Sequence, residues 1–377
     1  MTITAPEFVA RVARAQSAMA AAGLGALLLS TEADLRYFTG FLTRFWESPT
    51  RPWYLVVPAK GDPIAVIPSI GAALMGKTWI RDIRTWVSPD LNDDGVSLLI
   101  ATLQEVGGDI GMPFGLESHA RMPLAALAQV QAAVTMRSDQ GIVAGLRAVK
   151  SADEIAKITK SCAIAGRAFA RVGEIAGQGV PLSRVFRNFQ RLCLEEGADW
   201  VPYLAGGVGR LGYDDVISPA TDAPLQTGEV LMLDTGLIRD GYFCDFDRNY
   251  VVGAPDPLAE EGYACLLAAT DAGRKAAQVG AMAADVFHAM ADVIAHGPSV
   301  AGTDPGRLGH GLGMQLTEGM SLIPTDRTTL VAGMVITLEP GITLPGGGYL
   351  VHEDNFVITA DGAVQISPPA WPQLQRI

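Results

Sequence analysis

The chain has 377 residues, 49% hydrophobic and 18% charged, a composition typical of a globular protein large enough for two domains. Its formal net charge of -12 argues against nucleic acid or an anionic membrane surface as a partner. The four cysteines form no CxxC pair, which argues against a zinc ribbon and is typical of a cytoplasmic protein with free thiols. The apolar stretch at 18–29 is interrupted by two glycines, so we expect a helix end, a turn and a strand there rather than a signal peptide or a membrane span.

Helices and strands alternate over the first 148 residues. Helices are predicted from residue 4 or 6 to residue 22 and at 72–79, 96–105 and 123–130; strands at 26–30, 53–57, 64–67, 83–87 and 110–116; and a turn at 37–40. This alternation predicts an α/β domain.

A new domain is expected to begin near residue 148. Ser151 and Glu154 have the spacing of a capping box, with Ser at the N-cap and Glu at N3 of a long helix predicted at 153–176. Further helices are predicted at 181–196 (with Ser183 as a possible cap), 258–279 and 283–296, and strands at 229–234, 241–252, 334–338 and 349–359. We therefore expect an α/β domain at 1–148 and an α+β domain at 149–377.

One motif resembles a nucleotide site but lacks its context. Residues 207–212 match GxGxxG, and Asp234 follows about twenty residues later, as in a dinucleotide fingerprint. The last glycine should open a helix whose N-terminus binds pyrophosphate, yet two acids and a proline follow at 213–219. We interpret the motif as a loop that faces a substrate.

Five residues suggest a metal site. Aspartates on adjacent strands raise each other's pKa, and a cation between them relieves that cost. Taken singly, each acid here could be an exposed strand-end charge and the histidine a core residue bonded to backbone. Together, lying in apolar β-rich runs or between glycines, they favour divalent metal ligands: Asp234, Asp245, His310, Glu339 and Glu353.

The same segments resemble a known superfamily. LDTG, GYFCDFDR, GHGLG, TLEPGI and VHEDN in this order resemble the methionine aminopeptidase, prolidase and creatinase superfamily, which has the "pita-bread" fold. DLRYFTG at 34–40 and LRAVK at 146–150 resemble the creatinase/prolidase N-terminal domain. The resemblance covers essentially the whole chain.

The resemblance implies a site with two divalent ions of manganese, cobalt, zinc or iron, and cleavage of an amide or peptide bond by a metal-bridging hydroxide. It implies that Asp234 chelates one metal and that Asp245 and Glu353 bridge both. It further implies that His310 binds the other metal and that Glu339, also a ligand, accepts the proton of the water. Since family members are often dimers, it also implies a homodimer.

Three departures set this chain apart from the family's Xaa-Pro peptidases. Thr317-Glu318 stands where those enzymes usually have His-Glu, and the stretch 211–224 has no histidine but offers Tyr213. Asp247 stands where the family usually has Thr; it could form a salt bridge with Arg248 or another cation, support the metal ligands, or balance a cationic substrate.

These departures shape the predicted function. We expect Thr317, Glu318, Asp247 and Tyr213 to bind a small amide, amino-acid derivative or short peptide other than a proline peptide. A metallohydrolase is favoured, a metal-dependent lyase similar to dimethylsulfoniopropionate lyases is the alternative, and a non-catalytic binding relative comes last. The aromatic and cationic segments at 45–46 and 51–53 either close a partner's site or are core and surface residues of a strand pair.

Overall fold

The computed structural model describes residues 3–46, 51–300 and 306–377, and the chain forms two compact units, Thr2–Arg147 and Ala148–Ile377. Within the described ranges, every helix is too short or too polar to traverse a lipid bilayer.

The N-terminal unit contains a mixed sheet with the strand order β4-β3-β2-β1-β5-β6. Its strands are β1 (Ala26–Leu29), β2 (Tyr54–Pro58), β3 (Ile64–Pro68), β4 (Asp82–Trp86), β5 (Ile110–Met112) and β6 (Met136–Ser138). Its helices are α1 (Ala5–Ala22), α2 (Glu32–Thr39), α3 (Ala72–Met75), α4 (Val96–Val106), α5 (Leu124–Ala133) and α6 (Ile142–Ala148), the last of which ends at the first residue of the second unit. The β1–β2 and β2–β3 pairs are antiparallel and the β3–β4, β1–β5 and β5–β6 pairs are parallel, which confirms the predicted α/β class.

Two expectations for this unit were wrong. Residues 37–40 belong to the end of α2, because the hydroxyl of Thr31 accepts a hydrogen bond from the Asp34 amide at 3.3 Å and starts a helix there. Gly40, at a φ of 74°, ends it. The helix predicted at 72–79 is the single turn α3.

The aromatic segment of this unit is part of its core. Trp46 and Trp53 are both buried, with ring centroids 5.9 Å apart, as the strand-pair interpretation expects. Residues 47–50, which lie between them, are outside the described residues.

The second unit carries strands in three sheets packed with helices, which confirms the α+β class. Its helices are α7 (Ala152–Ala170), α8 (Leu182–Glu195), α9 (Pro257–Ala276) and α10 (Ala283–Ala295). The first sheet has the order β18-β10-β8-β7, with β9 beside β8, formed by β7 (Trp200–Gly209), β8 (Val230–Arg239), β9 (Tyr242–Phe243), β10 (Phe246–Val251) and β18 (Gln375–Arg376). The second has the order β12-β11-β13-β16-β17, formed by β11 (His310–Gly311), β12 (Glu318–Ser321), β13 (Val335–Leu338), β16 (Asp354–Thr359) and β17 (Gly362–Gln365). The third is the pair β14 (Gly341–Thr343) and β15 (Tyr349–Val351).

The capping box predicted at the start of this unit is confirmed. The Ser151 hydroxyl accepts from the Glu154 amide at 3.3 Å, and the Glu154 carboxylate accepts from the Ser151 amide at 3.0 Å. Ser183 does not cap α8: Pro181 is the N-cap residue, and the Ser183 hydroxyl bonds to Asp222.

The interpretation of the GxGxxG motif as a loop was wrong for its first half. Gly207 and Gly209 lie in β7, which pairs antiparallel with β8. A Cβ at Gly207 would lie 2.5 Å from the Asp215 carbonyl oxygen, so glycine lets the following segment fold back closely over the strand.

Candidate metal centre

Asp234 lies in the middle of β8, where the apolar strand around it is buried. The register places it opposite Ala205 of β7 and Asp247 of β10. The Tyr203 hydroxyl on β7 donates to Asp234 Oδ2 at 2.8 Å. This bond fixes one carboxylate oxygen and leaves the other available for a cation.

Asp245 lies in the break between β9 and β10, and the side-chain amide of Asn355 holds its backbone. The Asp245 N–H donates to Asn355 Oδ1 at 3.0 Å, and Asn355 Nδ2 donates to the Asp245 carbonyl oxygen. Because Asn355 lies on β16, this clamp joins the first sheet to the second at the candidate ligand.

His310 begins β11, and its ring is oriented by a backbone carbonyl. Nδ1 lies 2.9 Å from the Gly311 oxygen, so the proton of the neutral ring belongs on Nδ1. Nε2, which then carries the lone pair, lies 3.3 Å from Asp245 Oδ2. A neutral histidine with this tautomer is a suitable metal ligand.

The two glutamates lie at strand ends of the second unit. Glu339 directly follows β13, and its Oε1 accepts from Arg307 Nε at 3.2 Å. Glu353 lies between β15 and β16, and its N–H donates to Asp247 Oδ1 at 2.9 Å.

Three of the five predicted ligands meet closely. Ligand atoms of Asp245, His310 and Glu353 all lie within 4.8 Å of one another. Asp234 and Glu339 are outside that group but close enough for their charges to raise the pKa of Glu353.

The unpaired oxygens of the site fit a divalent cation. Among the described residues, three buried carboxylate oxygens at the centre have no hydrogen-bond partner: Asp234 Oδ1, Asp245 Oδ1 and Glu353 Oε1. Burial of a carboxylate oxygen without a donor is costly, and metal coordination would satisfy all three.

The carboxyl groups of the metal-free site resist ionisation. Burial, followed by repulsion from neighbouring carboxylates, raises the pKa of Asp234 and Glu353 well above the ordinary values. Burial also raises the pKa of Asp245 and of Glu339, although the Arg307 charge opposes the shift in both. Four ionised carboxylates and a neutral histidine carry a charge that two divalent cations would neutralise.

Arg307 lies between Glu339 and Thr317, the residue that stands where Xaa-Pro peptidases usually have a histidine. Its Nη2 donates to the Thr317 hydroxyl at 3.3 Å while Nε contacts Glu339. Sequence reasoning did not identify Arg307, although its place three residues before His310 was visible.

Glu318 has an internal partner. Its Oε2 lies 3.3 Å from the ammonium of Lys150, with both side chains buried, and its Oε1 accepts from the Gln315 amide at 2.9 Å. The role of Glu318 and Thr317 in substrate binding stays a prediction.

Two predicted substrate residues are instead buried. Tyr213 is 0% exposed, and its hydroxyl accepts from the Val351 amide at 2.6 Å, so it supports the chain before Glu353, while its substrate role stays a prediction. Asp247 is also 0% exposed, and its role as a counter-charge for a substrate stays a prediction. Of the predicted cationic partners of Asp247, the Arg248 guanidinium pairs with Asp354 at 2.9 Å, whereas the ring of His352 lies 3.4 Å from Asp247.

His352 is a further buried group that sequence reasoning missed. Its Nδ1 lies 3.4 Å from Asp247 and its Nε2 3.0 Å from Asp354. Burial opposes its charge, but the two carboxylates, with Asp354 the stronger, raise the pKa of His352 to about 9.

Comparison with known proteins gives matches in both units. Residues 156–360 match the model of Metallopeptidase family M24, and residues 11–149 match the Creatinase/Prolidase N-terminal domain. A protein of Mycobacterium tuberculosis named probable dipeptidase PepE is 30% identical over 366 residues, which cover 96% of this chain and 94% of the relative.

Solved structures show the same architecture. The dipeptidase PepE of Mycobacterium ulcerans has a TM-score of 0.86 at 28% identity, covering 100% of both chains. The Xaa-Pro dipeptidase of Bacillus anthracis has a TM-score of 0.84 at 22% identity, covering 98% of this chain and 100% of the other, a likeness of fold alone. The predicted combination of an α/β N-terminal part with an α+β pita-bread part is therefore confirmed.

Proposed function

Since the chain belongs to the M24 metallopeptidase family, as the predicted resemblance indicated, we propose that it is a divalent-metal-dependent peptidase acting on short peptides or small amides. The observation that carries the proposal is the set of three unpaired, buried carboxylate oxygens beside the Nε2 lone pair of His310. The relatives named dipeptidase support a peptide substrate. In this proposal residues 1–148 form the creatinase/prolidase-type domain and residues 149–377 the catalytic domain.

Each ligand has a role that its surroundings support. Asp245, His310 and Glu353 would hold divalent cations together with Asp234, whose Oδ1 is also unpaired, and with Glu339. When bound, the cations would neutralise the carboxylates, polarise the scissile carbonyl and lower the pKa of an attacking water. Manganese is one of four metals that such oxygen and nitrogen ligands accommodate, alongside cobalt, zinc and iron.

Glu339 is the proposed proton acceptor. It is the most exposed of the four proposed carboxylate ligands, with 20% of its side chain accessible, and the Arg307 guanidinium stabilises its charged form. A carboxylate in this position takes the proton of the water as the amide is attacked and returns it to the leaving amine.

Substrate preference is expected to differ from that of Xaa-Pro peptidases. Thr317 stands where those enzymes usually have a histidine and its hydroxyl accepts from Arg307, so a guanidinium rather than an imidazole would face the substrate carbonyl or carboxylate. We therefore propose a substrate other than a proline dipeptide. A homodimer and a cytoplasmic location stay predictions.

Metal stripping and reloading of the purified protein tests this function. After EDTA treatment, we expect no cleavage of a dipeptide panel, and we expect added Mn²⁺ or Co²⁺ to restore it, with weak turnover of Xaa-Pro members. Mass spectrometry of the products separates hydrolysis, which adds a water, from the elimination catalysed by a lyase. Absence of both bound metal and activation would refute the enzyme proposal, while rapid Xaa-Pro cleavage would refute only the substrate preference.

A further inference from the structure

A fifth carboxylate lies beside the four carboxylates among the five proposed ligands. Asp247 is 0% exposed on β10 and stands opposite Asp234 in the strand register. A buried carboxylate needs hydrogen-bond donors or a basic partner to offset the cost of its burial.

Asp247 contacts the backbone from which a proposed ligand projects. Its Oδ1 accepts the Glu353 N–H at 2.9 Å, and its Oδ2 accepts from Asn249 Nδ2 at 3.3 Å. Asn249 Nδ2 also donates to the Val351 carbonyl at 2.7 Å. The Asp247 carboxylate and the Asn249 side-chain amide together hold the backbone of residues 351–353, where β15 ends beside the candidate site.

His352 supplies the compensating partner. Its side chain is 1% exposed, and its two ring nitrogens face Asp247 at 3.4 Å and Asp354 at 3.0 Å. Asp354 in turn pairs with Arg248 at 2.9 Å and accepts from the Ser367 hydroxyl at 2.7 Å. Asp247 is thereby linked to a chain of alternating acidic and basic groups that is separate from the proposed ligand oxygens.

We propose that Asp247 and His352 form a positioning pair that fixes the backbone of Glu353, so that the Glu353 carboxylate is held toward the divalent cations. The pair acts through Glu353 and does not touch substrate. This inference rests on the metal centre of the proposed function, because positioning Glu353 matters only if it binds a cation. Groups that orient a ligand in this way typically contribute about 10- to 100-fold to metal affinity.

Calorimetric titration of Mn²⁺ into EDTA-stripped protein tests the pair. Asp247→Ala removes both the acceptor and the charge, and we expect it to weaken Mn²⁺ binding about 10- to 100-fold. Asp247→Asn keeps an oxygen that can accept the Glu353 N–H, and we expect a smaller loss. His352→Gln removes the basic partner of Asp247 and should also weaken Mn²⁺ binding. It tests the pair independently if Asp247→Ala does not fold.

The matched control is another buried, ion-paired aspartate. Asp34 pairs with Arg147 at 2.7 Å within the N-terminal unit, and Asp34→Asn should leave Mn²⁺ affinity unchanged. Thermal melting of each metal-free variant separates positioning from general stabilisation, since a merely structural role lowers the melting temperature and leaves the affinity as it was.

Three results would decide against the pair. Folded Asp247→Ala and His352→Gln variants that bind Mn²⁺ like the wild type would overturn it. So would losses that simply add in the double variant, since a coupled pair gives a smaller combined loss. Wild-type protein that binds no divalent cation would overturn the proposed function as well, which distinguishes the two failures.

Discussion

Glu339 differs from the other acids of the site in its exposure and in its cationic neighbour. Replacing it with glutamine keeps the size but removes the ability to accept a proton, so we expect Glu339→Gln to lower kcat by about 10²- to 10⁴-fold. The measurement is steady-state hydrolysis of a dipeptide at saturating Mn²⁺. Glu261→Gln, on the exposed surface of α9, is the control and should keep wild-type activity. A Glu339→Gln enzyme with wild-type kcat would contradict the assigned role.

Replacing Arg307 should change KM rather than kcat or metal affinity, because its side chain is a cation next to the proposed metal site. Arg307→Met removes a charge-assisted hydrogen bond to substrate, a loss of about 1.5–3 kcal/mol, so we expect KM to rise about tenfold or more. Mn²⁺ affinity should not fall, since the removed charge repels the metal. Arg274→Met, in the last turn of α9, controls for loss of a partly exposed cation that is paired with one acid, Asp271. Weaker Mn²⁺ binding at an unchanged KM would show that Arg307 supports the metal ligands instead.

At the scale of an element, the capping box at the start of α7 makes a contribution to stability that can be measured directly. Both hydrogen bonds of the capping box are present, and Ser151→Ala removes the one accepted by the Ser151 hydroxyl. We expect a loss of about 1 kcal/mol in unfolding free energy. Urea unfolding followed by circular dichroism measures it. Ser183→Ala is the matched control: its hydroxyl bonds to Asp222 and caps nothing, so its effect should stay within about 0.5 kcal/mol. Equal losses in the two variants would show that the cap is not the source.

Elements with strong local signals could be predicted from the sequence, and those that depend on distant partners could not. The apolar run of β8 and the capping box of α7 were visible in short windows. The strand β7 was not predicted, because its three glycines and a proline give little strand propensity, and only pairing with β8 makes it a strand.

The same division applies to the candidate site. Its proposed ligands lie in short motifs that can be recognised in the sequence. The residues that hold the ligands in place are far from them in sequence: Tyr213 bonds to the amide of Val351, 138 residues away, and Asn355 bonds to Asp245, 110 residues away. The burial of Tyr213 could therefore not be predicted, since the contacts that bury it are a property of the fold and not of its neighbours in sequence.

The whole molecule should couple its stability to pH through the metal centre. In the metal-free protein, burial and mutual repulsion raise the pKa of Asp234, Asp245 and Glu353 above ordinary values of 3.8 for Asp and 4.5 for Glu. A carboxyl group whose pKa is higher in the folded than in the unfolded protein contributes to the free energy of unfolding, and this contribution is complete below the pKa of the unfolded state. That contribution is lost as pH rises through the folded pKa. The metal-free protein should therefore melt at lower temperature as pH increases above about 5.

Metal reverses this trend, because a divalent cation binds the ionised carboxylates and competes with protons. Stabilisation by a ligand grows with the ratio of its concentration to its Kd, so the melting-temperature difference between Mn²⁺-loaded and stripped protein should widen from about pH 5 to about pH 8. Differential scanning calorimetry at fixed Mn²⁺ concentration measures this difference. Asp245→Asn, which removes a proposed metal ligand, should narrow the difference and flatten its dependence on pH. A difference that is constant with pH in the wild type would mean that the cation does not bind through these carboxylates.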